Sequence, residues 1–236
     1  MKRTTIAVLT SHLEPGSPAH VRSVMKKLAR AIENLDEPAV EKIAQEQEDP
    51  FDILISTMLS AQTRDEVTYA ASTRLFKKAR TPRTMAALTT KQIEKLIYPV
   101  SFYRNKAVHV KETCRQLMSR YGGKVPDTME ELLTLPGVGR KTANLVLILA
   151  HASRQNICVD THVHRISNRL GWVRTKTPEQ TEHALYKVTP KKWWPSVNLY
   201  LVTWGQNVCK PVYPRCPACV LADICPKIGV TKVGRS

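Results

Sequence analysis

No stretch of this sequence alternates apolar and polar residues over a convincing strand length, so a sheet has no basis in it. No apolar run approaches the roughly 18 residues that a spanning helix needs, and no membrane partner is expected. The opening MKRTTIAVLTSHLEPG holds too short an apolar segment for a secretory signal. There is no internal repeat and no low-complexity tract. Acidic residues are the scarce charge: 20 Asp and Glu face 36 Lys and Arg, for a formal net charge of +16. That balance favours a polyanionic partner, of which nucleic acid is the commonest. Six cysteines without a signal segment argue against a disulfide scaffold and for a reducing compartment. At 236 residues the chain has the length for one large domain or two small ones around a real core.

What is present is helical periodicity, punctuated by caps. Residues 1–16 lack it and are expected to form a mobile arm. Ser17-Pro18 is an N-cap and first-turn pair for a helix with Val21, Val24, Met25, Leu28 and Ile32 inward and a solvated basic face of Arg22, Lys26, Lys27 and Arg30. After an acidic turn at Glu46 to Asp49, DPFDILISTMLSAQT reads as a buried helix ending in the polar segment Ser60 to Asp65. Further helices are expected from Asp65 to Lys78, from Thr89 or Thr90 to Ile97, and from Asn105 to Tyr121, with a turn and cap at Thr81-Pro82. Thr177-Pro178 and Thr189-Pro190 start two more, the second carrying Trp193, Trp194 and Trp204 as core. The fold class is all-α.

The stretch from Asp127 to Asp160 concentrates the chemistry. Asp127 with Glu130 makes a capping-box pattern for a short helix that Pro136 ends. Gly137 and Gly139, in LPGVG, then allow positive φ or close backbone approach. A second helix starts near Arg140 or Lys141, and its unpaired N-terminal amides suit a phosphate. Two cations there run against the helix dipole. Solvated surface charge is one reading. The sharper one has Arg140 meeting phosphate and Lys141 held where its ammonium form is disfavoured, available as an amine nucleophile. Asp160 reads as the N-cap of THVHRISNRL, whose Val163, Ile166 and Leu170 face inward and whose stop is Gly171. His162 and His164 have no partner at a metal-ligand spacing. Near the C-terminus, Cys209-x6-Cys216-x2-Cys219-x5-Cys225 gathers four thiols into seventeen residues, which suggests a metal site. The spacing alone would favour zinc, and a four-cysteine iron–sulfur cluster is the alternative. Cys114 and Cys158 read as small buried residues.

LPGVGRKTAN, followed nineteen residues after Lys141 by the aspartate of VDTHVHR, resembles the helix-hairpin-helix DNA glycosylases, most of all their endonuclease III branch. The likeness runs from about Ala19 to about Ile228 and includes the cysteine spacing. It implies two helical domains flanking a DNA-binding cleft: a six-helix domain with the hairpin over 43–153, and a discontinuous [4Fe-4S] cluster domain over 17–42 and 154–236. It implies Lys141 as the lysine that attacks the sugar, Asp160 as the assisting aspartate, and Cys209, Cys216, Cys219 and Cys225 as ligands of a [4Fe-4S] cluster. Gln62 of LSAQ then corresponds to a glutamine that enters the duplex where the damaged base has left it. Phe102 stands where the family usually has a wedging leucine after a glycine; here Ser101-Phe102 departs from that pattern, and Phe102 is open to either a wedge or a core role. Lys210 and Arg215 would face phosphate. The implied function is a bifunctional glycosylase and abasic-site lyase for oxidised pyrimidines. Its partner would be double-stranded DNA carrying damaged bases or abasic sites, bound by a monomer. The alternatives are a glycosylase of another base preference and a non-catalytic iron–sulfur DNA-binding protein. The expected location is a bacterial cytoplasm, associated with the nucleoid, or else a nucleus or mitochondrion.

Overall fold

Helix α3, Pro50–Ser60, is the axis of the larger half of the molecule: every side chain from Phe51 to Leu59 is buried. Asp49 caps it by accepting from Phe51 N, and Pro50 fills the first turn, where no amide donor is needed. Leu54, Ile55 and Leu59 are wholly inaccessible, each contributing about 1.5–3 kcal/mol of apolar burial. The computed structural model describes residues 13–234. Among these, all regular structure is helical.

Around α3 pack α2 (Ala39–Gln47), α4 (Asp65–Lys78), α7 (Tyr103–Arg120) and α9 (Arg140–Ala150), with the shorter α5 (Pro82–Ala87), α6 (Thr90–Ile97) and α8 (Met129–Leu132) closing the sides. Apart from α2, their apolar faces share one core running from Phe51 to Leu147. A second core joins α1 (Pro18–Ala31) to α10 (Thr161–Arg169), α11 (Pro178–Val188), α12 (Ser196–Asn207) and the cysteine loop. Trp172 and Trp204 are buried in it, and Trp193 and Trp194 pack against it half-buried. A small third cluster, Val40, Ile53, Leu145, Ile148 and Cys158, sits where α2, α3 and α9 meet the extended approach to Asp160. No described helix is long and apolar enough to cross a membrane.

Several local expectations shift. The first half of the segment read as an acidic turn is helix: α2 runs to Gln47, and the turn is confined to Glu48, left-handed at φ 52°, and the extended Asp49. The boundary expected between residues 42 and 43 therefore falls inside α2, whose contacts are with α3, α4 and α9. The hairpin's first helix is capped by Thr128, one residue later than expected. Thr128 Oγ1 accepts from Glu131 N and donates to Glu131 Oε2, because Glu131 and not Glu130 occupies the third helical position. Thr81-Pro82 opens a short helix as well as a turn, and Lys191–Trp193 form a single 3-10 turn before α12 begins at Ser196. Of the expected N-terminal arm, residues 1–12 lie outside the described residues; Glu14 to Gly16 turn into α1, with Gly16 N donating to His20 Nδ1.

Candidate active site and nucleic-acid interface

The hairpin between α8 and α9 is built on two glycines with different jobs. Gly137 has φ +76°, and a Cβ there would lie 2.8 Å from the His109 ring of α7, so both conformation and space require its missing side chain. Gly139 has φ −99° and is the N-cap of α9; a Cβ there would meet nothing within 4 Å. With no side chain at the cap, the first amides of α9 face open space, the arrangement an anion needs.

Arg140 and Lys141 open α9 and diverge. The Arg140 guanidinium turns toward α11, where Nη2 lies 2.6 Å and Nε 3.3 Å from the carboxylate of Glu182, a residue buried to 3% exposure. The expected phosphate ligand is thus also the partner of a buried acid. Lys141, half-buried, forms no ion pair among the described residues. Its backbone carbonyl lies 3.5 Å from the Cys158 thiol, which ties the start of α9 to the chain two residues before Asp160.

Asp160 caps α10. Its Oδ1 accepts from both His162 N (2.8 Å) and Val163 N (2.9 Å), so the carboxylate orientation is fixed and Oδ2 is left free of these bonds. Lys141, Asp160 and Asp65 all act electrostatically on one further carboxyl, Glu41 at the start of α2. Glu41 is 5% exposed; burial, the largest cause, pushes its pKa from 4.5 to about 7, against the opposing pull of Lys141. Asp65 is held by Gln206 of α12 through a 3.0 Å bond. Lys141 from one half and Asp160 from the other are therefore charged neighbours of Glu41 and Asp65. Glu41, Asp65 and Glu182 escape sequence reading because an isolated acid on a helix looks like a solvated charge.

Gln62 and Phe102 are brought to the surface on neighbouring loops. Gln62 follows α3, exposed, with φ 54°. Phe102 caps α7 at φ 55°, and 64% of its surface is exposed, so it is not a core residue. Left-handed conformation is uncommon for such side chains and concentrates at functional sites.

Cys209, Cys216, Cys219 and Cys225 are free thiols lining one cavity, whose walls include Ile166, Leu170, Trp204 and Leu221. Arg169 Nη1 lies 3.3 Å from Cys209 Sγ, and Leu221 N donates to Cys219 Sγ at 3.4 Å, the kind of donors that stabilise thiolate sulfur. The four thiols line this cavity together with the apolar side chains. Arg215 is exposed and Lys210 half-exposed on the same loop. His162 and His164 face inward contacts instead, with Arg165 Nη2 at 3.2 Å and Thr181 Oγ1 at 2.6 Å.

Comparison with known proteins agrees with this arrangement. The model of the HhH-GPD superfamily of base excision DNA repair proteins matches residues 55–191. Endonuclease III of Thermotoga maritima is 51% identical over 177 residues, 75% of this chain and 83% of that protein. Among solved structures, a non-covalent endonuclease III–DNA complex superposes with a TM-score of 0.80 at 35% identity. It covers 89% of this chain and 96% of that one. A trapped endonuclease III–DNA covalent intermediate gives 0.78 at 34% identity over the same shares. On the match of family, sequence and fold, this chain belongs to the HhH-GPD superfamily of base excision DNA repair proteins, on its endonuclease III branch.

Proposed function

We propose that the protein is a bifunctional DNA glycosylase and abasic-site lyase that removes oxidised pyrimidines through Lys141. The observation that carries this reading is an unpaired lysine at the α9 N-terminus, tied through its carbonyl to Cys158, two residues before a cap-oriented aspartate whose Oδ2 is free of the cap bonds. A non-catalytic binding module needs the hairpin but has no use for that pairing. The trapped covalent intermediate of the structural relative supports the same chemistry.

The basic surface and the α9 amides hold the phosphate backbone, so affinity falls steeply with salt. Lys210, Arg215 and the free edge of Arg140 add phosphate contacts. Phe102 wedges into the duplex and Gln62 fills the vacated stack as the lesion is flipped out, at a cost of about a few kcal/mol that is smaller for a damaged base. Asp160 stabilises positive charge on the sugar and helps move protons, among them the one that Lys141 must lose to solvent before it reacts. The freed amine then attacks C1′, forming the C–N bond as the glycosidic bond breaks and the base leaves with its electron pair. Sugar-ring opening gives a Schiff base. Loss of the C2′ proton then expels the 3′ phosphate by β-elimination, and hydrolysis restores the lysine.

The four cysteines fit a [4Fe-4S] cluster: four thiols on one apolar-walled cavity, with Arg169 and Leu221 N donating to their sulfurs, supply the donor set it needs. Its contribution is to brace the basic loop, and no step of the reaction passes through it. The two cores correspond to two domains with the cleft between them. The protein acts as a monomer on double-stranded DNA, in the bacterial cytoplasm at the nucleoid or in the equivalent DNA-containing compartment of a eukaryote.

Borohydride trapping on a duplex with one thymine glycol, run beside an abasic duplex, tests the reading. An adduct on both that disappears in Lys141→Ala is expected. A Lys141→Ala protein that still cuts damaged DNA at the normal rate overturns the assignment.

A further inference from the structure

The proposed reaction gives no role to Lys106, although it stands close enough to Lys141 for the two charges to act on each other, and this lysine is the most unusual buried charge among the described residues. It lies on the first turn of α7, only 9% exposed, with no acidic partner among the described residues. An ammonium in that position is costly unless its donors are satisfied. They are. Lys106 Nζ lies 2.7 Å from Leu59 O, 2.5 Å from Ala61 O and 3.2 Å from Thr63 Oγ1. The carbonyls belong to the last turn and C-cap of α3, where the helix leaves its acceptors without partners and a cation is favoured. The residue directly after that cap is Gln62, left-handed, where a helix ordinarily places glycine. Thr63 Oγ1 in turn accepts from Ser101 N at 3.2 Å, immediately before left-handed Phe102.

The geometry points to Lys106 as the positioning residue that fixes Gln62 and Phe102 as one rigid pair, through its ammonium and the Thr63 hydroxyl. Capping α3 with a side chain from α7 holds the turn left-handed against the cost of a side chain at position 62, so a long polar group stands there. The same ammonium sets the distance between that turn and the α7 start. Two probes that enter a duplex together must hold a fixed separation, since misplacement by about 1 Å has large kinetic cost. This inference rests on the DNA-repair reading above.

The test uses Lys106→Met, which keeps the stem and removes the charge, and Thr63→Val, which cuts only the relay to Ser101. Each is compared with the intact protein in single-turnover excision of thymine glycol. A second reading is the fluorescence of 2-aminopurine placed opposite the lesion, which rises when that base is unstacked. Affinity for undamaged duplex reports phosphate contacts alone. Lys106→Met is expected to lose at least tenfold in excision and most of the fluorescence rise, with undamaged-duplex affinity within twofold. Thr63→Val is expected to lose about threefold or more in excision, and it decides the matter if Lys106→Met does not fold. Excision and fluorescence at the intact protein's level overturn the inference, as does a parallel fall in all three readings. An intact protein that neither excises thymine glycol nor unstacks the opposite base would instead defeat the underlying repair assignment.

Discussion

Glu41→Gln isolates the charge of the buried carboxyl while keeping its shape. Burial raises the Glu41 pKa from 4.5 to about 7, with Asp65 and Asp160 adding to the rise and Lys141 opposing it. Because the folded value lies above the unfolded one, the native state binds the extra proton. The associated stability is fully present below about pH 4.5 and is lost as pH rises through about 7. That difference sets the full effect at about 3 kcal/mol, most of it between pH 5 and pH 8. Glutamine cannot ionise and escapes this loss. For a chain of this size, where 1 kcal/mol moves Tm by about 2–4 °C, the gain of Glu41→Gln over the unaltered protein should grow by about 5–10 °C from pH 5 to pH 8. Calorimetry or far-UV circular dichroism melts at the two pH values measure it. A Tm difference that is the same at both would refute the reasoning, because it would mean the carboxyl is ionised in the native state throughout.

Asp160 separates in the same manner into cap and charge. Asp160→Asn should keep stability within about 0.5 kcal/mol, since the amide oxygen still accepts from His162 and Val163, while Asp160→Ala loses about 1–2 kcal/mol. Both should lose excision activity, and a fully active Asp160→Asn protein would remove the proton-transfer role. Phe102→Gly should move stability and function in opposite directions. Release of the left-handed backbone adds about 0.5–1 kcal/mol in denaturant melts, and thymine glycol excision falls; unchanged excision rejects the wedge. Arg140→Met strands the buried Glu182 carboxylate and should cost about 2 kcal/mol by urea titration, a loss that Glu182→Gln in the same chain largely recovers.

Helices announced by side-chain caps are legible in the sequence alone. Ser17, Thr81, Asp160 and Thr177 each cap where the sequence places them. Helix α2 is not legible, because it follows a proline N-cap with no side-chain cap bond and its sequence carries no start signal. Lys141 and Asp160 stand out because motif and spacing carry them. Lys106, Glu41 and Glu182 do not, since nothing local distinguishes a buried charge from a solvated one. Lys106 and Glu182 take their meaning from partners 42 to 47 residues away in sequence. Phe102 shows the converse: its identity leaves wedge and core equally open, and only its exposure separates them.

The second core has a consequence for how the chain is made. Helix α1 carries Val21, Val24, Met25 and Leu28, all wholly buried, and their partners stand on α10–α12 and the cysteine loop. His20 is bonded to Ile224 O across 204 residues, and Lys27 to Asp223 across 196. During synthesis, therefore, the hairpin-bearing body around α3 can close while α1 still has nothing to rest on. Its apolar face must wait for the far end of the chain, and that interval, more than any feature of the finished protein, is when a chaperone would find something to hold.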